Sequence, residues 1–250
     1  MKMTSRFAIL SALLIGLSSA AYADSVALNS SGCSVLPCTG GALQYLGSAP
    51  LNNYAPPSAL IAPTSPTTVP PNALGFITYS VNPAISGNSV WLTAIPGSSW
   101  VSFETTGASY TPNPSIPNDF YYYQTTFSAT GGTYSGFVNV MADDTAEVLL
   151  NGQVIMPFGT VGSDGKCADG EPTCTYVDAI WLNNYQLNAG KNTLTIINAQ
   201  TGLSAEGVDL SANLTKTPEP SSLLLLGSGL LGLAMLVFWK AKANRLALHS

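Results

Sequence analysis

The chain of 250 residues carries 8 basic and 13 acidic side chains, a net charge of −5. Its one histidine, His249, is the last residue but one, so the main body holds no imidazole for a Ser-His pair, a Cys-His pair or a histidine metal site. Between Asp24 and Thr217 three lysines stand against twelve acids, and a net charge of −9 excludes nucleic acid and anionic lipid headgroups as partners of that part.

Residues 1–23 read as a secretory signal peptide. Lys2 and Arg6 precede an apolar run over 7–17, and the small residues that follow end in Ala21-Tyr22-Ala23. That is the order of a charged head, an apolar core and an A-x-A cleavage site. The run is too short for a permanent span. Cleavage after Ala23 leaves Asp24 as the mature N-terminus. All four cysteines follow it, and an even count in an exported chain favours disulfides. Of the three possible pairings, the local loops Cys33–Cys38 and Cys167–Cys174 are the simplest. A four-thiolate zinc site would want tighter C-x-x-C knuckles and a reducing compartment.

Residues 24–72 are expected to form an irregular lead-in. Seven prolines crowd positions 50–71. Each removes an amide donor and fixes φ, which rules out a helix or a sheet interior. From residue 73 the pattern changes to short runs rich in Val, Ile, Thr, Tyr and Phe, separated by turn residues. Strands are predicted over 76–80, 90–95, 100–104, 120–127, 134–141, 147–150, 154–158, 179–182, 193–199 and 208–214. Asn151-Gly152, between VLL and QVIM, predicts a type I′ hairpin because both residues tolerate positive φ. Strands at this spacing over 73–216 predict an all-β fold, an antiparallel β-sandwich large enough to bury its own core.

The order of FYYYQTTF, VNVMADDTAEVLLNGQ and NAGKNTLTIINAQTGLSAEGVDLSANL resembles the galactose-binding-like domains of exported bacterial proteins. The resemblance covers most of 73–215 and implies a jelly-roll β-sandwich. It does not confer sugar binding, because function lives in sites rather than in folds.

Chemistry in this body would have to come from carboxylates. Asp143, Asp144 and Glu147 are the nearest to a pair such as a glycosidase uses. Neighbouring strand residues point to opposite faces, so Asp143 and Asp144 share a site only in a turn. A solvated turn before the hairpin is the expected role. Neither this cluster nor Asp164, Asp169 and Glu171 has the spacing of a known calcium loop, so no catalytic residue, metal or cofactor is expected. Tyr121, Tyr122, Tyr123, Trp91, Trp100 and Trp181 are candidates for stacking on sugar rings, although alternate aromatics in a sandwich are usually core.

The tail combines Pro218-Glu219-Pro220-Ser221-Ser222, the apolar block LLLLGSGLLGLAMLVFW and the basic residues Lys240, Lys242 and Arg245. The block is seventeen residues long, about 26 Å as a helix, just enough for a thin bilayer. Trp239 suits the interface, and the basic residues beyond it stay cytoplasmic by the positive-inside rule. A transmembrane helix is predicted over 222–239, within a signal over 217–245, followed by a cytoplasmic tail at 246–250. The arrangement resembles the PEP-CTERM sorting signal of Gram-negative bacteria. That resemblance implies processing near Pro218, Glu219 and Pro220 by an exosortase-type protease, transient residence in the inner membrane, and delivery to the cell surface or extracellular matrix.

The expected function is therefore that of an exported, non-enzymatic envelope or matrix protein with weak affinity for extracellular polysaccharide. The alternatives are a carbohydrate-active hydrolase of unrecognised type and a permanently anchored adhesin.

Overall fold

The computed structural model describes residues 24–36, 38–51, 77–81, 91–105, 107, 116, 118–159, 167, 171–201, 205–217 and 222–247. Nine strands are named among them: β1 (Ser25–Asn29), β2 (Gln44–Pro50), β3 (Tyr79–Val81), β4 (Trp100–Ser102), β5 (Asp119–Asp143), β6 (Thr145–Leu150), β7 (Gln153–Met156), β8 (Asp178–Ala199) and β9 (Gly207–Lys216). A single helix, α1 (Ser222–Ala247), follows. All strand pairings are antiparallel, in the order β3-β4-β9-β5-β8-β6-β7, with β1 added to β9 and β2 to β5.

Two strands organise the rest. β5 has 25 residues and β8 has 22, and they pair with each other from Phe120↔Ala199 to Val140↔Asp178. No twisted sheet stays flat over that length, and the ladder bends where its register shifts between Tyr134 and Gly136. Residues 119–124 of β5 have β2 on their free edge, while residues 134–143 have β9 there. The first half of β5 and the second half of β8 build one layer, β2-β5-β8-β6-β7, and the second half of β5 and the first half of β8 build the other, β3-β4-β9-β5-β8 with β1.

Alternate residues of both layers meet in the core. From the first layer come Tyr45, Tyr121, Tyr123, Val148, Leu150, Leu194 and Ile196; from the second, Val101, Val138, Val140, Val208, Leu210 and Leu214. Phe103, just beyond β4, stacks on Tyr45 at 5.2 Å and on Tyr121 at 4.8 Å, which fixes the layers face to face. This is the expected antiparallel β-sandwich, with the hairpin turn at Asn151 (φ 53°) and Gly152 (φ 79°).

Three expectations about elements need correction. Residues 24–51 are not an irregular lead-in, because β1 and β2 lie there and Asp24–Thr217 is one compact unit. β1 shows an alternating burial pattern, and Pro50 is tolerated because it ends a strand on the sheet edge. The pairs 120–127/134–141 and 179–182/193–199 are each one continuous strand. Residues 91–95 form no strand; their backbone polar groups bond to a side chain and a neighbouring loop instead. Residues 52–72 lie outside the described residues.

In α1, residues 227–240 are exposed on every side, with Leu236 at 68% and Phe238 at 77%. Among the described residues no helix is long and apolar enough to cross a membrane.

Gly136 sits where the bent strand crowds β9, and a Cβ there would collide with the carbonyl oxygen of Asn213. Gly136→Ala should destabilise the fold by about 3 kcal/mol or more, since backbone cannot swing aside as a side chain can. Gly152→Ala meets open space and should cost only about 1 kcal/mol of φ strain. Thermal melts of the two variants test this, and equal melting points would show that the close approach is unimportant.

Candidate functional site

Several expected site residues can be placed. Pro218, Glu219, Pro220, Ala21 and Ala23 lie outside the described residues. Asp24 is built into the fold. Its carboxylate accepts from the Tyr134 hydroxyl and from the Thr130 amide at 3.0 Å, and its carbonyl accepts from the Lys216 amide at 2.7 Å. The hydrogen bond from Tyr134, then those from Thr130, hold the Asp24 carboxyl below its ordinary range. Cys33 is bonded to Cys38 and Cys167 to Cys174.

The carboxylates are not solvated. Asp143 and Asp144 are each 1% exposed and Glu147 is 4% exposed, which overturns the expected turn role. Asp143 ends β5 beneath a segment, 91–99, that crosses the outer face of the second layer. Its Oδ2 accepts from the Trp91 indole N–H, and Trp91 stacks on Trp100 at 4.3 Å. Asp144 turns the other way and accepts from the amide and hydroxyl of Thr201. Burial, more than any neighbouring charge, pushes the Asp143 carboxyl well above its ordinary range. Its carboxylate lies within 4.8 Å of the Cys167 and Cys174 sulfurs, but bonded sulfurs offer no thiolate to a metal. Asp209 on β9 completes the attachment. It accepts from the Ser30 hydroxyl at 2.8 Å, the Ser98 hydroxyl, and the Ile95 amide at 2.8 Å.

Glu206 was not singled out by sequence, since nothing marks a lone Glu in a loop. It is fully buried between the layers. It accepts from the Tyr123 hydroxyl at 2.7 Å and the Asn198 amide at 2.9 Å on one side, and from the Ser102 hydroxyl at 2.8 Å on the other. Three donors do not offset its burial, and its carboxyl is pushed up to about 7. Such a value would suit a general acid, but a group with no exposed surface cannot reach a substrate.

The aromatic candidates separate cleanly. Tyr121, Tyr122, Tyr123, Trp91 and Trp100 are buried. Trp181 alone stands out, 54% exposed, on the outer face of the second layer. Directly opposite it on β5 is Phe137, 50% exposed, with ring centroids 4.4 Å apart in an edge-on arrangement. Phe137 was missed because a single Phe in SGFVNV gives no sign of its face until the register is known. Beyond β9, the edge strand β1 borders an open groove of about 590 Å³, lined also by Thr126, Ser128 and Lys191.

The Glu206 geometry carries a pH dependence. In the folded chain this carboxyl keeps its proton up to about 7, whereas an ordinary glutamate releases it near 4.5. The stability this contributes is complete below pH 4.5 and is lost as pH rises through 7, at most about 3 kcal/mol. Melting temperature should therefore rise from pH 8 to pH 5. Glu206→Gln, an uncharged analogue of the protonated acid, should flatten that rise and gain stability at pH 8. An unchanged pH slope in the variant would refute the assignment.

Residues 216–238 match the PEP-CTERM protein-sorting motif. No curated protein matches the chain. Among solved structures, the chain is similar to the Podospora anserina GH26-CBM35 β-(1,4)-mannanase, at 18% identity and a TM-score of 0.31, over 57% of this chain and 26% of that one. It is also similar to a family 35 carbohydrate binding module from Clostridium thermocellum, at 15% identity and a TM-score of 0.28, over 52% of this chain and 84% of that one. A third likeness is to the CBM36-1 domain of a multidomain xylanase from the hindgut metagenome of Trinervitermes trinervoides, at 10% identity and a TM-score of 0.25, over 46% and 90%. The alignment thus spans about a quarter of the mannanase chain. At such TM-scores the fold rests on the strand pairing itself. The tail is a PEP-CTERM sorting signal, and a protein that carries one is exported.

Proposed function

We propose that the protein is a non-enzymatic component of the cell envelope or extracellular matrix of a Gram-negative bacterium, sorted by its tail and binding polysaccharide through residues 24–216. A signal peptide cleaved after Ala23 starts export. The apolar run 223–239 then holds the chain in the inner membrane, with the basic residues after it on the cytoplasmic side. An exosortase-type protease acts near Pro218-Glu219-Pro220 and releases the sandwich to the surface.

The match of residues 216–238 to the sorting motif carries this reading. Physical features support it. A helix apolar on every side with its leucines exposed has no stable place in water and needs a bilayer or a binding protease. The two disulfides suit an oxidising compartment. Asp24 is tied to Thr130 and Tyr134, so a cut after Ala23 leaves the fold intact whereas a later one would not.

The non-enzymatic reading follows from where the acids lie. Asp143, Asp144, Glu147, Glu206 and Asp209 are all buried. Asp143, Asp144, Glu206 and Asp209 accept hydrogen bonds that hold segments together, and hydrolysis needs two carboxyls flanking a bound substrate. The similarity to carbohydrate binding modules is consistent with binding without turnover.

Replacing Pro218, Glu219 and Pro220 together by Ala leaves the apolar run unchanged. Cell fractionation should then find the variant retained in the inner membrane at its full precursor size, while the unaltered protein reaches the surface. A variant that reaches the surface as efficiently as its parent would show that the motif is not read.

A further inference from the structure

We propose that the outer face of the second layer, centred on Trp181 and Phe137, is a stacking platform for a neutral polysaccharide of pyranose sugars. This rests on the reading of residues 24–216 as a binding module and gives that module a site.

Strand register defines the face. Phe137 pairs with Trp181 on β8 and with Asn213 on β9, and Asn213 pairs with Ala27 on β1. Directly paired residues point to the same side, so these four form one row across four strands, roughly 14 Å long. A second row, Ala179, Asn139, Ser211 and Asn29, runs beside it. Along β5 and β9 the same face then passes under the 91–99 segment at Met141 and Asp209. One end of the face is thus roofed by chain, and the other end presents two aromatic rings to solvent.

Three features select the occupant. The first is charge. Neither row contains an ionisable side chain, in a body with a net charge of −9, and Asp209, the nearest acid on that face, is buried and occupied by Ser30, Ser98 and Ile95. A charged partner would find no counter-charge here. The second is size. Two half-exposed rings offer on the order of 200 Å² of apolar area, whereas a stable contact between protein copies takes about 800 Å² per side. That area fits one or two sugar rings, whose C–H faces pack on aromatic rings while their hydroxyl edges seek hydrogen bonds. The third is the supply of those bonds. Among the described residues the side-chain amides of Asn139 and Asn213 have no hydrogen-bond partner, and each offers both donors and an acceptor.

The rings are held ready. Phe137 and Trp181 brace each other edge-on at 4.4 Å from strands buried on their other side, so little side-chain entropy is lost on binding. The first row ends at Ala27, which also lines the groove along β1. A chain laid across the row therefore has an open path at its far end.

The test is native electrophoresis of the full chain, in a zwitterionic detergent free of sugar, through gels containing β-glucan, xylan, glucomannan or anionic polygalacturonate. At least one neutral polymer should retard the protein. Trp181→Ala should weaken that retardation about tenfold or more, and Trp181→Tyr should restore most of it. Because Trp181 is exposed, the Ala variant should melt within a degree or two of its parent, which separates lost binding from lost fold. Retardation that survives both Trp181→Ala and Phe137→Ala would overturn the platform and leave polysaccharide binding standing elsewhere on the module. No retardation by any polymer would overturn the binding reading as well. Retardation by polygalacturonate alone would contradict the neutral ligand, and a sedimentation change from dimer to monomer in Trp181→Ala would make the face a contact between copies.

Discussion

The β5–β8 ladder is the constraint on which the rest of the structure depends. Two strands of 25 and 22 residues stay paired through a bend, and each layer of the sandwich is assembled on one half of the pair. In β5 and β8 continuous backbone, and not a loop, passes from one layer to the other. The ladder's hydrogen bonds thus join the layers at the bend, and the stacking of Phe103 on Tyr45 and Tyr121 holds them face to face. The same continuity places Phe137 and Trp181 side by side on the outer face while Tyr121, Tyr123 and Tyr134 fill the interior.

Buried carboxylates then lock what the ladder leaves loose. Asp209 and Asp143 fasten the 91–99 segment, Asp144 fastens Thr201, and Glu206 ties Tyr123 and Asn198 in one layer to Ser102 in the other. Burying acids is costly, and a well-packed apolar replacement is often as stable. What the acids add is direction, because a carboxylate with two or three donors fixes a loop in one place where a leucine would not. The raised pKa values of Asp143, Glu206 and Asp209 follow from burial, and such shifts arise in structural networks as well as in active sites.

The tail was the most legible part of the sequence, since PEP followed by an apolar block and basic residues is a linear signal. The hairpin at Asn151-Gly152 was equally clear, because its φ requirement is local. Continuity was not. Gly131-Gly132 and Asn183-Asn184 look like turns, and only long-range pairing shows that β5 and β8 run through them. β1 and β2 were hidden by their neighbours, a short cysteine loop and a proline-rich stretch. The acids misled for a different reason. A pair of aspartates reads as solvated unless the sequence can show Trp91 and Thr201 arriving from 52 and 57 residues away. Of the six aromatic candidates, register alone distinguished Trp181 from the five that are core.

The proposed function joins a sandwich with an exposed aromatic pair to a C-terminal sorting motif. Central to the proposed function is processing on both sides of the sandwich, after Ala23 and near Pro218-Glu219-Pro220. Intact-mass analysis of the protein recovered from the surface of its host tests this most directly. The mature species should begin at Asp24, end near Pro218-Glu219-Pro220, and be four hydrogen masses lighter than the reduced polypeptide because both disulfides are closed. A surface species that still contains Leu223–Trp239 would contradict it, and would leave the protein a permanently anchored adhesin.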